Sequence, residues 1–186
     1  MIVFINGPFG GGKTSVAQEL LSRIPDSTLF DPEEVGFVLR TILPGREKDF
    51  QDLPPWRPLV AATTAEILAY TGGALIAPMS ILRRDYATEI FSELDKRGIT
   101  VCHIVLHADT TTVTNRITGH QMFPDDPARS QKVIDFRLRN LARYQDAYRE
   151  WLAGDAHVID TTALTPAWAA DLAAAIIRRM SDGVPA

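Results

Sequence analysis

The sequence predicts an α/β protein: a five-stranded parallel sheet in the order 2-3-1-4-5 with helices on both faces. Three observations lead there. Short apolar, β-branched runs alternate with helical patterns along the 186 residues, and strands separated by helices pair in parallel through crossovers. The first run, Ile2-Val3-Phe4-Ile5-Asn6, feeds directly into Gly7-Pro8-Phe9-Gly10-Gly11-Gly12-Lys13-Thr14-Ser15, which reads G-x-x-x-x-G-K-[ST], a Walker A phosphate loop. After it Val16, Leu20, Leu21 and Ile24 recur at helical spacing.

The remaining elements follow in order. Pro25-Asp26 breaks the first helix, and Ser27 to Phe30 is a short second strand ending at Asp31. Asp31-Pro32-Glu33-Glu34 marks a helix start, with Asp31 as N-cap and Glu34 as the capping-box acid. That helix stops before Pro44-Gly45. The stretch PGREKDFQDLPPWRP, residues 44–58, carries four prolines and reads as an ordered loop or lid segment. A helix from Pro58 through Tyr70 precedes a buried strand, Ala74 to Ala77. Residues 85–97 form an amphipathic helix closed by Gly98, and Thr100 to Leu106 is the fourth strand. A short helix at 110–118, a loop at 119–129 and a long helix at 130–152 come next. His157 to Asp160 is the last strand, Pro166 to Met180 the last helix, and 181–186 a tail.

Composition narrows the function. Hydrophobic residues are 46% and charged residues 23%, as in ordinary globular proteins, and the length suits one domain over 1–186. A net charge of −4 gives no broad basic field for a nucleic acid. The single cysteine, Cys102, excludes an internal disulfide and a cysteine-based zinc site. No basic, then apolar leader is read at the start, so the expected location is cytoplasmic. The apolar stretch Leu59 to Leu82 is interrupted by Glu66, Gly72-Gly73 and Pro78, which fits a helix and a core strand better than a membrane span.

The phosphate loop carries the chemistry. Glycines let the backbone curl with N–H groups pointing at an anion, and the helix N-terminus adds its positive end. Gly7, Gly10, Gly11, Gly12, Lys13, Thr14 and Ser15 are therefore the nucleotide-binding candidates. Lys13 would reach the β- and γ-phosphates and the Thr14 hydroxyl would ligate Mg²⁺, so ATP and Mg²⁺ are the expected cofactors. No N-K-x-D base-reading motif is present, and the third strand ends in Pro78-Met79-Ser80 without an acid. A GTPase and an AAA-type motor are thereby set aside, leaving the compact nucleotide- and small-molecule-kinase type.

Such a kinase needs a substrate-holding insert, here about 32–58, and an arginine-bearing lid, here about 116–130. Asp31 falls where a carboxylate could take a proton from an acceptor hydroxyl, bind Mg²⁺ through water, or simply cap its helix. Arg40 either clamps the acceptor or complements its helix dipole. Arg83-Arg84 either face the site or form a surface pair. Arg116 is the preferred lid arginine, with Arg129 second, while Arg139 and Arg143 share a solvated face.

INGPFGGGKTS, then FDPEEVGFVLR, then APMSI, with DFQDLPPWR between the last two, resembles the tunicamycin-resistance protein family of P-loop ATP-binding proteins. The resemblance implies an ATP-binding fold close to small kinases such as chloramphenicol phosphotransferase, and a link to resistance against a nucleoside antibiotic. It carries Gly7 to Ser15 over as ATP-binding residues, and Asp31 and Arg40 as members of the second segment without an assigned role. Residues 110–186 match less clearly, so the lid assignments rest on the kinase analogy. The resemblance also raises membrane association through the C-terminal helix, whose apolar face is Leu172, Ala173, Ile176, Ile177 and Met180; packing on the sheet is the simpler account. The leading expectation is a small-molecule phosphotransferase. Beside it stand an ATP-dependent protein that sequesters an antibiotic unmodified, and a housekeeping nucleoside or sugar kinase.

Overall fold

The strand at the centre of the sheet is the one that delivers the phosphate loop. In the computed structural model, which describes residues 1–43, 49–119 and 122–182, β1 (Ile2–Asn6) lies between β3 (Ala74–Pro78) and β4 (Val101–His107). The outer strands are β2 (Ser27–Leu29) and β5 (His157–Asp160). The order is β2-β3-β1-β4-β5, all parallel, as the sequence predicts. Every C-terminal strand end therefore opens on the same edge, where ligands of open α/β sheets bind.

The alternation of β1 explains the two layers. Ile2 and Phe4 point into one core and Val3 and Ile5 into the other, all at most 2% exposed. The first core lies under α2 (Glu33–Ile42), α3 (Trp56–Thr71), α4 (Arg84–Asp95), α5 (Thr110–Thr118) and α6 (Pro127–Ala147). The second lies under α1 (Lys13–Leu21) and the last helix. A π turn, Tyr148–Leu152, and a final turn, α7 (Ala153–Asp155), continue α6. The last helix, α8 (Pro166–Ser181), buries Ala169, Ala170, Ala173, Ala174 and Ile177 in the second core. That packing accounts for most of its apolar face. Among the described residues no helix is long and apolar enough to cross a membrane.

Several boundaries shift by one to three residues, and three of the shifts have a visible cause. α3 starts at Trp56, not Pro58: Trp56 is fully buried, donates from Nε1 to the Pro32 carbonyl at 3.4 Å, and draws the chain into the helix early. α6 starts at Pro127, not Ser130, because the Asp126 carboxylate accepts from the Arg129 N–H and caps it there. The start of α2 is also modified. Pro32 holds the cap position without a side-chain bond, while Asp31 Oδ1 accepts from the Glu33 N–H at 2.9 Å one residue earlier. Parts of three expectations lie outside the described residues: the helix stop at Pro44-Gly45 with 46–48 of the proline-rich segment, residues 120–121 of the lid, and 183–186 of the tail.

Candidate active site

The phosphate loop is held from beneath by Asn6. Its Oδ1 accepts from the Gly7 N–H at 2.8 Å and the Ile81 N–H at 3.1 Å, and its Nδ2 donates to the Ile81 carbonyl at 2.8 Å. Ser80 Oγ donates to the Gly7 carbonyl at 2.8 Å. The turn after β3 is thus tied to the loop after β1. Gly7 has φ 144°, and a Cβ there would run into the Leu106 carbonyl on β4. Gly12 has φ 85° at the start of α1. These backbone conformations belong to glycine, and they leave N–H groups at the head of a nine-residue helix, an anion site by construction.

Lys13 folds back over this loop. Its Nζ donates to the carbonyls of Gly7 at 3.1 Å and Pro8 at 2.8 Å and lies 5.5 Å from the centre of the Phe9 ring. Burial pushes its pKa down to about 8, opposed by Glu33 and Asp31 and aided by Arg137. A lysine this poorly solvated gains most when a phosphate restores a counter-charge beside it. Thr14 and Ser15 are exposed at the first turn.

Two cavities flank the loop. The first, about 320 Å³, is lined by Gly10 to Gly12, Ser15, Arg116, Arg137 and the Thr161–Pro166 loop after β5. Arg116 Nη2 donates to the Thr161 carbonyl at 2.7 Å, and Thr161 is in turn hydrogen-bonded to the His107 carbonyl at the end of β4. Arg116 is thus fixed at the β5 end of the cleft. The second cavity, about 430 Å³, is lined by Phe9, Glu33, Phe37, Arg40, Asp49, Phe50, Gln51, Asp52, Ser80, Phe136 and Arg143. Both volumes suit small-molecule ligands. Phe9, from the phosphate loop itself, is part of the second.

The sequence-derived candidates fall on both sides of the loop. Arg40 lines the second cavity, its guanidinium 5.0 Å from the Phe50 ring centre. Asp31 is exposed, with one oxygen held by the Glu33 N–H. Arg129 lies 3.8 Å over the Phe123 ring and lines neither cavity, and Arg83 pairs with Asp85. Arg137 and Arg143, which a helical wheel cannot rank, line the first and second cavities respectively. Phe136, Asn140 and Arg143 recur four and three apart on α6, which aims one face of that helix at the space around the second cavity.

Glu33 is the residue that sequence reasoning passes over. Desolvation, with Asp31 beside it, raises its pKa above the usual carboxylate value. It is also the leading negative influence on Lys13. The sequence signal for it is its place at the first residue of the helix after β2. For a metal, no three His, Cys, Asp or Glu gather into a cage among the described residues. Mg²⁺ in a phosphate-transfer site takes one or two protein oxygens and completes its shell from phosphates and water, and Thr14 and Asp31 offer oxygens of that kind. Cys102 is buried, with its thiol pushed up to about 12. His103 is enclosed by Phe91 and Trp151 and pushed down to about 4. Neither fits a reactive role.

With this geometry in view, similarity to known proteins becomes specific. No protein-family profile matches the chain, and no curated protein sequence does. Among solved structures, the tunicamycin resistance protein of Deinococcus radiodurans is 31% identical over 95% of this chain and 94% of that one, with a TM-score of 0.72. A sugar kinase from Janibacter sp. HTCC2649 is 20% identical over 100% and 98%, TM-score 0.62. A gluconokinase from Sinorhizobium meliloti 1021 is 18% identical over 98% and 94%, TM-score 0.65. The two kinases share the P-loop kinase fold with this chain.

Proposed function

We propose that this chain, which belongs to the tunicamycin-resistance protein family, is an Mg-ATP-dependent phosphotransferase acting on a small molecule. One observation carries the reading: a phosphate loop flanks two cavities of small-molecule size, its own Phe9 lines the second, and the Lys13 ammonium lies 5.5 Å from the centre of that ring. Phosphoryl transfer is largely a matter of placing donor and acceptor in line and offsetting the charge on the transferred group.

In this reading the nucleoside lies in the cleft between Arg116, Thr161 and the phosphate loop. The triphosphate runs along the N–H groups of Gly10 to Lys13. Thr14, with Asp31 through water, would hold Mg²⁺, whose chemistry there would be to offset phosphate charge. Lys13 moves from the Gly7 and Pro8 carbonyls to the γ-phosphate, and Arg137 adds a second positive charge at the same cleft. Asp31 or Glu33 accepts the acceptor hydroxyl proton. The hydroxyl oxygen then bonds to the γ-phosphorus as the bond to the β-phosphate oxygen breaks, and ADP leaves. Glu33 is the better placed of the two, since it lines the acceptor cavity and Asp31 does not. Arg116 serves the nucleoside end here rather than closing over the transfer.

A second reading keeps ATP binding but no transfer: the protein sequesters its small molecule unmodified. The turn after β3 favours it, because Ser80 occupies a place where a metal-holding acid is common and spends its hydroxyl on Gly7. Mass spectrometry separates the two. Tunicamycin and a panel of nucleosides and aminoglycosides are incubated with protein and Mg-ATP, with Lys13→Ala as control. A gain of one phosphoryl group with wild-type protein alone establishes transfer. Unmodified compound that co-elutes only with ATP-loaded protein establishes sequestration and overturns the transferase.

A further inference from the structure

The second cavity has an aromatic character that phosphoryl transfer does not require. Phe37 and Phe50 line it from α2 and the turn that follows Asp49, with ring centres 6.2 Å apart. Phe9 and Phe136 line it from the phosphate loop and α6, 5.5 Å apart. Phe37 is 46% exposed and Phe136 48%. Folding does not account for two phenylalanines left half-open at one cavity, because neither ring is buried by the core.

The polar groups of the same cavity are largely committed to the protein. Gln51 Nε2 donates to the Ser80 carbonyl, and Ser80 Oγ to the Gly7 carbonyl. Asp49 Oδ1 accepts from the Gln51 N–H, and Asp52 Oδ1 from the Tyr86 hydroxyl. Arg143 donates to Asn140 Oδ1, and Arg40 lies against the Phe50 ring. A site for a polyol would keep its donors and acceptors free for the ligand, since each substrate hydroxyl needs a partner. Most of the lining is apolar ring surface, with the Glu33 carboxylate and the second oxygens of Asp49 and Asp52 at its side. Three carboxylates, Glu33, Asp49 and Asp52, stand against two arginines, which disfavours an anionic ligand.

We infer that the acceptor cavity takes an uncharged alcohol carrying a planar ring, the ring seated among Phe9, Phe37, Phe50 and Phe136 and the hydroxyl directed to Glu33. This rests on the reading of that cavity as the acceptor site. Its further consequence is that Phe9 makes the phosphate loop a direct contact of the acceptor, so ring binding and nucleotide binding are coupled through one residue.

Isothermal titration of protein loaded with Mg²⁺ and the non-hydrolysable AMP-PNP tests it without any turnover. The probes are para-nitrophenyl β-D-glucoside, 2-phenylethanol and benzyl alcohol, against D-glucose, D-gluconate and glycerol. At least one aryl alcohol is expected to bind saturably at one site per chain, and the non-aromatic compounds are not. Phe37→Ala and Phe136→Ala, both at half-exposed positions that the fold tolerates, should each weaken aryl binding by about tenfold. Phe136→Leu, which keeps an apolar side chain, should weaken it too, while Tyr70→Ala on a remote surface leaves it unchanged. Preference for gluconate or glucose overturns the inference. So does aryl binding indifferent to both alanine variants, or the absence of binding by every aryl probe. Replacing AMP-PNP by ATP then keeps the two readings apart. A bound but unphosphorylated aryl alcohol retains the ligand class and counts against transfer; a phosphorylated, non-aromatic polyol retains transfer and refutes the class.

Discussion

Replacing Lys13 by methionine should stabilise the empty protein while destroying its response to nucleotide. The ammonium is held among the Gly7 and Pro8 carbonyls with its pKa lowered from 10.5 to about 8, chiefly by desolvation. That displacement corresponds to about 3 kcal/mol against the charged form. Lys13 keeps partial solvent contact, so a net penalty of about 1–2 kcal/mol is the reasonable figure. Losing its bonds does not orphan the two carbonyls: Gly7 keeps the Ser80 hydroxyl and Pro8 keeps the Gly11 N–H. A neutral chain of similar length therefore removes the penalty and little else. The sign follows from linkage. Between about 8 and 10.5 the unfolded chain holds a proton that the folded one has released, so wild-type stability rises with pH across that window. Thermal unfolding near neutral pH should show Lys13→Met melting higher than wild type by roughly 3–6 °C, with the gap closing as the pH approaches about 10. Saturating Mg-nucleotide should raise the wild-type midpoint and leave the variant nearly unmoved. A variant that melts lower than wild type at neutral pH, or a gap that stays constant to alkaline pH, would refute the reasoning.

Two further outcomes follow from residues near the acceptor cavity. Gly36→Ala places a Cβ inside the volume of the Phe50 ring, so Phe50 must leave its contacts with Phe37 and Trp56. A loss of about 1–3 kcal/mol in urea unfolding is expected, with weakened acceptor binding and unchanged nucleotide affinity; full stability would show that the ring relocates freely. Glu33→Gln should lower transfer by at least about tenfold yet raise the stability of the empty protein. Its raised pKa means the folded state penalises the carboxylate above the ordinary titration range and is relieved as pH falls through it. The acid limb of the wild-type rate profile should accordingly lie above the usual glutamate value; unaltered turnover in Glu33→Gln returns the proton-accepting role to Asp31.

The same segment shows what a linear reading can see. D-P-E-E-V-G-F was recognisable as a helix start and as the most specific point of family resemblance, but the reason for its glycine was not. Gly36 is there because Phe50, fourteen positions on and inside the proline-rich stretch, packs against the bare backbone. The arginines make the same point. Arg116, Arg129, Arg137 and Arg143 are equivalent by composition, and their separation depends on where α6 lies across the sheet edge. Arg137 faces the phosphate-loop cleft and Arg143 the second cavity, whereas Arg129 covers Phe123.

The sequence by itself determined the sheet, its order and the phosphate loop. Each depends on local causes: alternating apolar runs, short crossovers of one hand, and glycines placed where the backbone must curl around an anion. The tertiary structure decided the second cavity, the placing of Glu33 rather than Asp31 at its wall, and the two aromatic pairs that shape it. These depend on side chains from Phe9, Glu33, Phe37, Phe50 and Phe136 meeting across more than a hundred residues of chain. No periodicity encodes such a meeting, because it is fixed only when both cores have closed and each helix has taken its angle on the sheet.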